Sequence, residues 1–211
     1  MEDHGGTVYY EYELKQHPVF GWSSPQTVTD AEPTKWTGIP VTWETWRDYE
    51  WNVVAVELQY TTISDLAPLA GVPHLKSLRC ISSSALKDIS ALSQLPELEH
   101  LQLSATRITN VEPLAGLREL TVVYLDSTDV ADLRPLSELT RLRELNLDST
   151  DVADLTPLSN LSSLELLDLD YTEIQDLTPL ARLPRLSVLS LRAVKVDDAS
   201  VVRVAVPRLG R

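Results

Sequence analysis

The segment that decides the fold is Leu142-Arg-Glu-Leu145-Asn-Leu147-Asp-Ser-Thr150-Asp-Val152-Ala-Asp154-Leu155-Thr-Pro157-Leu158-Ser-Asn-Leu161. The segment beginning at Leu164 repeats the same apolar frame, and so do the segments that precede it. Self-similarity at a fixed period is the signature of a repeat protein, whose units bury their cores against one another. The unit that begins at Leu75 has one extra residue, placed within residues 82–84. The frame fits seven units, at residues 53–74, 75–97, 98–119, 120–141, 142–163, 164–185 and 186–207.

The two halves of each unit predict different local structures. Leu145-x-Leu147 has a period of two, which predicts a short strand with both leucines on one side. Stacked units then build a continuous parallel sheet. In the second half, Asp154 precedes Leu-x-Pro-Leu, a pattern typical of a helix start in which Asp accepts backbone N–H bonds. The equivalent residues in neighbouring units are Asp132 and Asp176. The remaining length allows about one turn of 3₁₀ or α helix.

These residues resemble a known family. The pattern Leu-x-x-Leu-x-Leu-x-x-Thr-x-Ile/Val is similar to the leucine-rich repeat, and the Asp-Leu-x-Pro-Leu half resembles the internalin-like bacterial subclass. The resemblance covers residues 53–207, with Thr where the family often carries Asn. It implies an α/β repeat solenoid, a right-handed curved coil with a parallel concave β-sheet and short 3₁₀ or α turns on the convex side. It also implies a protein-binding role.

A threonine column marks the point where the chain leaves each strand. We expect its hydroxyls to satisfy backbone groups in the turn and to form a ladder between neighbouring units, rather than to act as nucleophiles. The column consists of Thr61, Thr106, Thr128, Thr150 and Thr172.

The residues that alternate with the inward leucines should point to the open, concave side of the sheet, which we call the open face. Counting the first leucine of a unit as position one, these are positions three, five and seven. They vary freely while the leucine positions do not, which indicates a surface without a packing role. From them and their neighbours we predict a partner-binding set: His100, Gln102, Val122, Tyr124, Asp126, Glu144, Asn146, Asp148, Leu166, Asp168, Asp170, Tyr171 and Arg192.

Acidic residues concentrate on this part of the chain. The whole chain has a formal charge of −13, which argues against non-specific binding to nucleic acid or to anionic membrane. Residues 120–185 alone hold 13 Asp plus Glu against 5 Lys plus Arg, a net charge of −8. Three interpretations of the acidic residues stay open. They are a solvated acidic face, an interface for a protein partner that has a basic rim and an apolar anchor, and a divalent-cation site. The last is disfavoured because Ca²⁺ needs six to eight oxygens, usually from a dedicated loop.

No catalytic pattern is apparent. No glycine-rich phosphate loop occurs, and the four histidines have no metal-ligand spacing. Cys80, the only cysteine, falls at an inward leucine position and should be a core residue. We therefore predict a protein without catalytic residues, metal or cofactor, and leave open an active site hidden in residues 1–52.

Residues 1–52 differ from the repeats because they hold all five tryptophans. We expect a strand within residues 7–14 and an aromatic cap over the first unit, for which Trp43, Trp46 and Trp51 are suited. An alternative makes Trp22 and Trp36 a platform for a ligand or partner. Residues 208–211 form a C-terminal tail.

Together these patterns favour a non-enzymatic protein-recognition module. The single cysteine and the acidic start of the chain, without a signal-like segment, favour a cytoplasmic location, and no apolar run is long enough to span a bilayer. Two alternatives are a sensor or regulatory component of a larger bacterial assembly, such as an immunity-type nucleotide-switch protein, and an internalin-like surface adhesin.

Overall fold

A computed structural model describes residues 53–196 in full and residues 6–10 by their backbone. Within these described residues, eight strands form one sheet in which spatial order follows chain order. The strands from β2 to β8 are parallel, and β1 is antiparallel to β2. The predicted leucine-rich-repeat solenoid is therefore confirmed. The strands are β1 (Gly6–Tyr10), β2 (Val53–Gln59), β3 (Ser77–Ile81), β4 (His100–Gln102), β5 (Val122–Tyr124), β6 (Glu144–Asn146), β7 (Leu166–Asp168) and β8 (Val188–Ser190).

The core is a set of apolar columns that run through the stack. Leu145 pairs in register with Val123 on one side and Leu167 on the other, and all three side chains are fully buried. Each remaining leucine position of the unit likewise lies above its equivalent in the next unit, which gives one continuous core. Cys80 takes an inward position in β3 and is buried as predicted, and burial raises the pKa of its thiol.

The return segment of each of the first six units is a 3₁₀ turn, as the short spacing predicts. Asp154 accepts a hydrogen bond from the Thr156 N–H at 2.8 Å, and Asp132 accepts one from Arg134 at 2.9 Å. Asn110 does the same for Glu112 at 2.8 Å, so the predicted capping is confirmed and extends to an amide. The turns comprise Ala67–Gly71, Ser90–Gln94, Glu112–Leu114, Arg134–Leu136, Thr156–Asn160 and Thr178–Arg182.

Position eight of every unit has a left-handed backbone conformation without being glycine. At Ala105, for example, φ is 54°. Its N–H still donates to the Asp126 carbonyl of the next unit at 2.9 Å, so the chain turns out of the strand while the hydrogen-bond ladder continues. This conformation costs an L-residue about 1–2 kcal/mol. The residues concerned are Tyr60, Ser82, Ala105, Ser127, Ser149, Tyr171 and Ala193.

Most hydroxyls of the threonine column bond backbone carbonyls in the turn, as predicted. The expected ladder of hydrogen bonds between neighbouring units is wrong for four of the five threonines. The Thr150 hydroxyl donates to the Leu147 carbonyl of its own unit at 2.7 Å, and Thr106, Thr128 and Thr172 repeat this geometry. In all four cases the acceptor is the carbonyl three residues back in the same unit. Thr61 is different, since its hydroxyl bonds the Ser83 hydroxyl of the second unit at 2.8 Å.

The extra residue of the second unit lies after Ser83. Ser82 has the left-handed φ of position eight, and Ser83 is buried like the threonines at position nine. The insertion is absorbed by a tight turn in which the Leu86 N–H donates to the Ser83 carbonyl at 2.9 Å. The strand register on either side is therefore undisturbed.

The N-terminal strand extends the sheet. β1 covers the edge of β2, the longest strand of the stack, and its register shifts between Tyr9 and Tyr10. Pairing this edge removes a row of unpaired backbone groups that would otherwise recruit another chain. The expected strand within residues 7–14 is confirmed for residues 7–10. The predicted cap, the Trp22 and Trp36 platform, the end of the seventh unit and the tail fall outside the described residues.

Relieving the left-handed strain should stabilise the protein. Ala105→Gly removes the Cβ penalty, so the free energy of unfolding should rise by about 0.5 kcal/mol after the entropic cost of glycine is subtracted. Ala153→Gly is the matched control, because Ala153 is also exposed but has no positive φ, and it should lower the same quantity by about 0.5–1 kcal/mol. Urea unfolding measures both; equal destabilisation by the two variants would contradict the strain.

The carboxylate caps make stability depend on pH. Hydrogen bonds from Thr156 lower the pKa of Asp154, so its contribution is present above the unfolded pKa of about 3.9 and is lost as pH falls through the folded value. Asp154→Ala should cost about 1 kcal/mol at pH 7. Asp154→Asn should lower the free energy of unfolding by less, because Asn110 shows that an amide oxygen can accept the same capping hydrogen bond. The Asn variant should also make stability depend less on pH in the acid range. Thermal unfolding between pH 3 and pH 7 checks this; indistinguishable Ala and Asn variants would refute the cap.

Candidate functional site

The structure places the predicted partner-binding residues together on the open face. Position three pairs Val122 with Glu144, Leu166 and Val188 in succession, and position five pairs Tyr124 with Asn146, Asp168 and Ser190. Position seven follows immediately along each unit. Like positions thus form three columns that cross the strands. Because burial along these columns is uneven, the open face divides into a first half over β2 to β4 and a second half over β6 to β8, with Tyr124 of β5 between them.

The first half is tied together by side-chain hydrogen bonds. Arg79 donates to Glu57 at 2.9 Å and to Gln102 at 3.1 Å, Gln102 donates to the Ser104 hydroxyl at 3.1 Å, and Ser104 donates to Asp126 at 2.7 Å. This chain of contacts links four units. The expectation that the open face has no packing role is wrong here, because Ser104 is buried and the Arg79–Glu57 ion pair is largely shielded from solvent.

Tyr124 lies where the two halves meet. Its hydroxyl donates to Glu144 at 2.7 Å, and burial together with that carboxylate raises the pKa of the phenol. His100, one strand earlier than Tyr124, is half-buried. Burial lowers the pKa of His100 in spite of the nearby Glu99 and Glu144 carboxylates, so the ring is mostly neutral at pH 7. The hydrogen bond to Glu144 holds the ring of Tyr124 in a fixed orientation on the open face.

Asp170 is a structural carboxylate, although the sequence aligns it with Asp126 and Asp148 at position seven, which is predicted to face solvent. It is only 6% exposed and accepts hydrogen bonds from the Ser190 hydroxyl and the Arg192 N–H, both at 2.6 Å. The Arg192 guanidinium lies 3.5 Å from its second oxygen. Burial alone would raise the pKa of Asp170, but these hydrogen bonds and the guanidinium lower it below its usual value. Asp170 thus joins the sixth unit to the seventh.

Asp168 has the opposite electrostatics. Burial raises its pKa, and the neighbouring Asp170 and Asp148 carboxylates add to the rise against the opposing effects of the Asp170 N–H and Arg192. Asp148 is half-buried beside it and accepts a hydrogen bond from Ser149 at 2.8 Å. The second half of the face therefore carries negative charge that its own contacts do not fully offset.

Large apolar side chains border this charge. Val188 is 51% exposed and Tyr171 is 62% exposed, while Leu166 lies half-buried beside Val188. Tyr60 is 78% exposed at the equivalent position of the first unit, and sequence reasoning did not include it among the candidate residues. Its position-eight equivalence to Tyr171 is the signal that would have found it.

Among residues 53–196, no three His, Cys, Asp or Glu side chains converge as metal ligands. A depression on the side opposite the open face, about 440 Å³, is lined by polar side chains including Glu112, Asp132, Arg134 and Glu138. Arg134 and Asp132, both in its lining, form an ion pair with each other. No helix in the described part of the chain is long and apolar enough to cross a bilayer.

Neutralising Asp168 and neutralising Asp170 should change the free energy of unfolding in opposite directions. Asp168→Asn should raise the free energy of unfolding at pH 7 by about 0.5 kcal/mol, because the amide oxygen still accepts the Asp170 N–H while the repelled charge is gone. Asp170→Asn should lower it by about 1–2 kcal/mol, because the charge that Ser190 and Arg192 stabilise is lost.

The difference in the free energy of unfolding between the Asp168→Asn and Asp170→Asn variants should narrow as pH falls. A raised folded pKa means that ionised Asp168 opposes folding above that pKa, whereas the lowered pKa of Asp170 gives stability that is lost in acid. Urea unfolding at pH 7 and pH 4 measures both effects. Changes of the same sign at pH 7 would show that the two carboxylates are not distinguished in this way.

Known structures share this architecture. Internalin C2 of Listeria monocytogenes is 39% identical, with a TM-score of 0.66, over 72% of this chain and 66% of its own. An internalin (InlF) from the same species is 24% identical, with a TM-score of 0.55, over 71% of this chain and 51% of its own. A leucine-rich-repeat protein of Leptospira interrogans is 17% identical, with a TM-score of 0.59, over 67% and 38%. The last two show the fold alone.

The chain spans somewhat less than two thirds of the internalin C2 structure that it matches. No protein-family model matches the sequence, and no curated protein matches it significantly. The leucine-rich-repeat fold is a protein-interaction fold, and proteins of the matched type are typically non-enzymatic. On the combined basis of repeat and sheet, the chain has the leucine-rich-repeat fold, and its architecture is similar to that of bacterial internalins.

Proposed function

We propose that this chain is a non-enzymatic recognition module that binds a protein partner through the second half of the open face. The observation that carries the proposal is the pair of exposed apolar side chains, Val188 and Tyr171, beside the incompletely offset charge of Asp168 and Asp148. Apolar anchors within a polar rim are the usual anatomy of a protein interface. The proposed contact set centres on Tyr124, Asn146, Asp148 and Asp168. Asp126 and Asp170, which neighbouring units already hold, support it from within the face.

The chemistry of the face favours a partner with a basic rim. Residues 120–185 carry a net charge of −8. Two acidic columns run across neighbouring units, one of Asp126, Asp148 and Asp170 and the other of Asp129, Asp151 and Glu173. Charges at an exposed rim mainly accelerate encounter and reject unsuitable partners, whereas apolar anchors supply much of the affinity. The acidic columns would thus select the partner, and Tyr124, Leu166 and Val188 would hold it.

The internal contacts of the open face support the same function. Asp126 is already fixed by Ser104, Asp170 by Ser190 and Arg192, and Tyr124 by Glu144. Side chains that are ordered before binding lose less conformational entropy on association. The face is therefore preorganised, which a purely solvating acidic surface would not require.

Partner capture with two matched variants tests the proposal. Tyr124→Ala combined with Asp148→Lys removes one anchor and reverses one charge on the open face, and should reduce capture of an identified partner at least ten-fold. Tyr124→Ala combined with Glu138→Lys keeps the anchor loss but moves the charge reversal to the opposite side, and should retain more binding. Partners are identified by mass spectrometry after affinity purification.

Circular dichroism and the thermal midpoint establish that both variants are folded. If the open-face variant captures the same partners in the same amounts as the unaltered protein, the proposed surface is wrong. If the two variants lose equal amounts of partner, Tyr124 matters and the acidic column does not.

A further inference from the structure

We propose that the partner presents a cationic amphipathic helix, whose axis crosses strands β5 to β8. This inference rests on the proposed function and adds the conformation and charge pattern of the bound segment. It follows from how the chemistry is arranged on the open face and from the spacing of the strands.

Residues of like chemistry are arranged across the strands rather than along them. In position three, Val122, Leu166 and Val188 are apolar, and the interrupting Glu144 accepts the Tyr124 hydroxyl. Position seven supplies Asp126, Asp148 and Asp170 on three successive units, before Arg192 on the fourth, and position five adds Asp168. Arg192 faces Asp170, so Asp148 and Asp168 are the half-buried carboxylates left for a basic ligand. A complementary ligand must therefore carry an apolar stripe beside a basic stripe, both parallel to its own axis. An amphipathic helix has this pattern.

The repeat distances also match a helix. Adjacent strands lie about 4.8 Å apart, and one α-helical turn advances 5.4 Å. Across the three intervals from β5 to β8, a helix would drift from the columns by roughly 1.8 Å, which flexible side chains can absorb. An extended segment repeats every two residues at about 6.7 Å and would drift by roughly 6 Å, more than a full strand spacing.

An extended segment parallel to the strands fits less well. It would face a single unit and reach only its three open positions, for example Leu166, Asp168 and Asp170. A strand on the face of a sheet makes no main-chain hydrogen bonds with it, because those groups point sideways to neighbouring strands. The helix instead contacts all four units with about ten residues, given a rise of 1.5 Å per residue.

Two model peptides distinguish these conformations. Both contain the same numbers of leucine and lysine in 14 residues, one arranged with a helical period of 3.5 and the other in strict alternation. The helical peptide should bind the full chain about ten-fold more tightly, measured by fluorescence anisotropy at concentrations where each peptide is monomeric. Equal affinities, or preference for the alternating peptide, would overturn the inference.

Two double variants of equal charge locate the binding. Asp148→Asn with Asp168→Asn removes two charges from the open face and should weaken the helical peptide about ten-fold. Asp132→Asn with Asp154→Asn removes two charges from the capping column, where Asn110 shows that an amide is tolerated, and should have little effect. Equal losses would mean that the peptide responds only to total charge, and would refute the site.

A single apolar variant completes the test. Leu166→Ser should weaken the helical peptide while leaving its salt dependence unchanged, because it removes area but no charge. The inference and the proposed function fail separately. If capture of a protein partner depends on the open face but the helical peptide is not preferred, only the helix is wrong. If the helical peptide binds at Asp148 and Asp168 but partner capture is independent of the open face, the proposed function is wrong.

Discussion

The whole structure depends on the stacking of identical units in register. One unit contributes a strand of three to seven residues and a single 3₁₀ turn, too little to bury its own leucines. Burial is completed only when Leu145 lies between Val123 and Leu167, and when every other apolar position has the same arrangement. Because each core position has neighbours above and below, stability is approximately a sum of unit and interface terms. A repeat length of 22 residues, with the one extra residue of the second unit confined to a turn, keeps these columns aligned.

This requirement explains why the chain accepts local strain. The left-handed residue at position eight is unfavourable for Ala105 and still more so for Tyr60 and Tyr171, whose side chains are bulky. It is retained because it closes the turn while its N–H continues the ladder to the next unit. The extra residue near Ser83 shows the same priority, since it is confined to a turn and the strands on both sides keep their register.

The open face shows how a repeat architecture separates support from recognition. In the first half, variable positions are used for contacts between units, and the Glu57–Arg79–Gln102–Ser104–Asp126 chain leaves little polar capacity unused. In the second half, Asp170 serves the same structural purpose, while Asp168 and Asp148 retain charge beside the exposed Val188. Variation along a column therefore does not by itself identify a binding residue. Whether a neighbour on the next unit completes its contacts decides that.

The sequence alone determined the parallel sheet, the spacing of its strands, the core columns and the capping carboxylates, because each depends on residues at fixed short spacings. It did not determine which open-face residues are available to a partner. Asp168 and Asp170 are two residues apart and chemically identical, yet one is repelled by its neighbours and the other is held by Ser190 and Arg192. It also did not show that β1 pairs with β2, since that contact joins residues far apart in the chain. Only the tertiary structure decided these features, because burial and charge compensation depend on side chains that stacking brings together from different units.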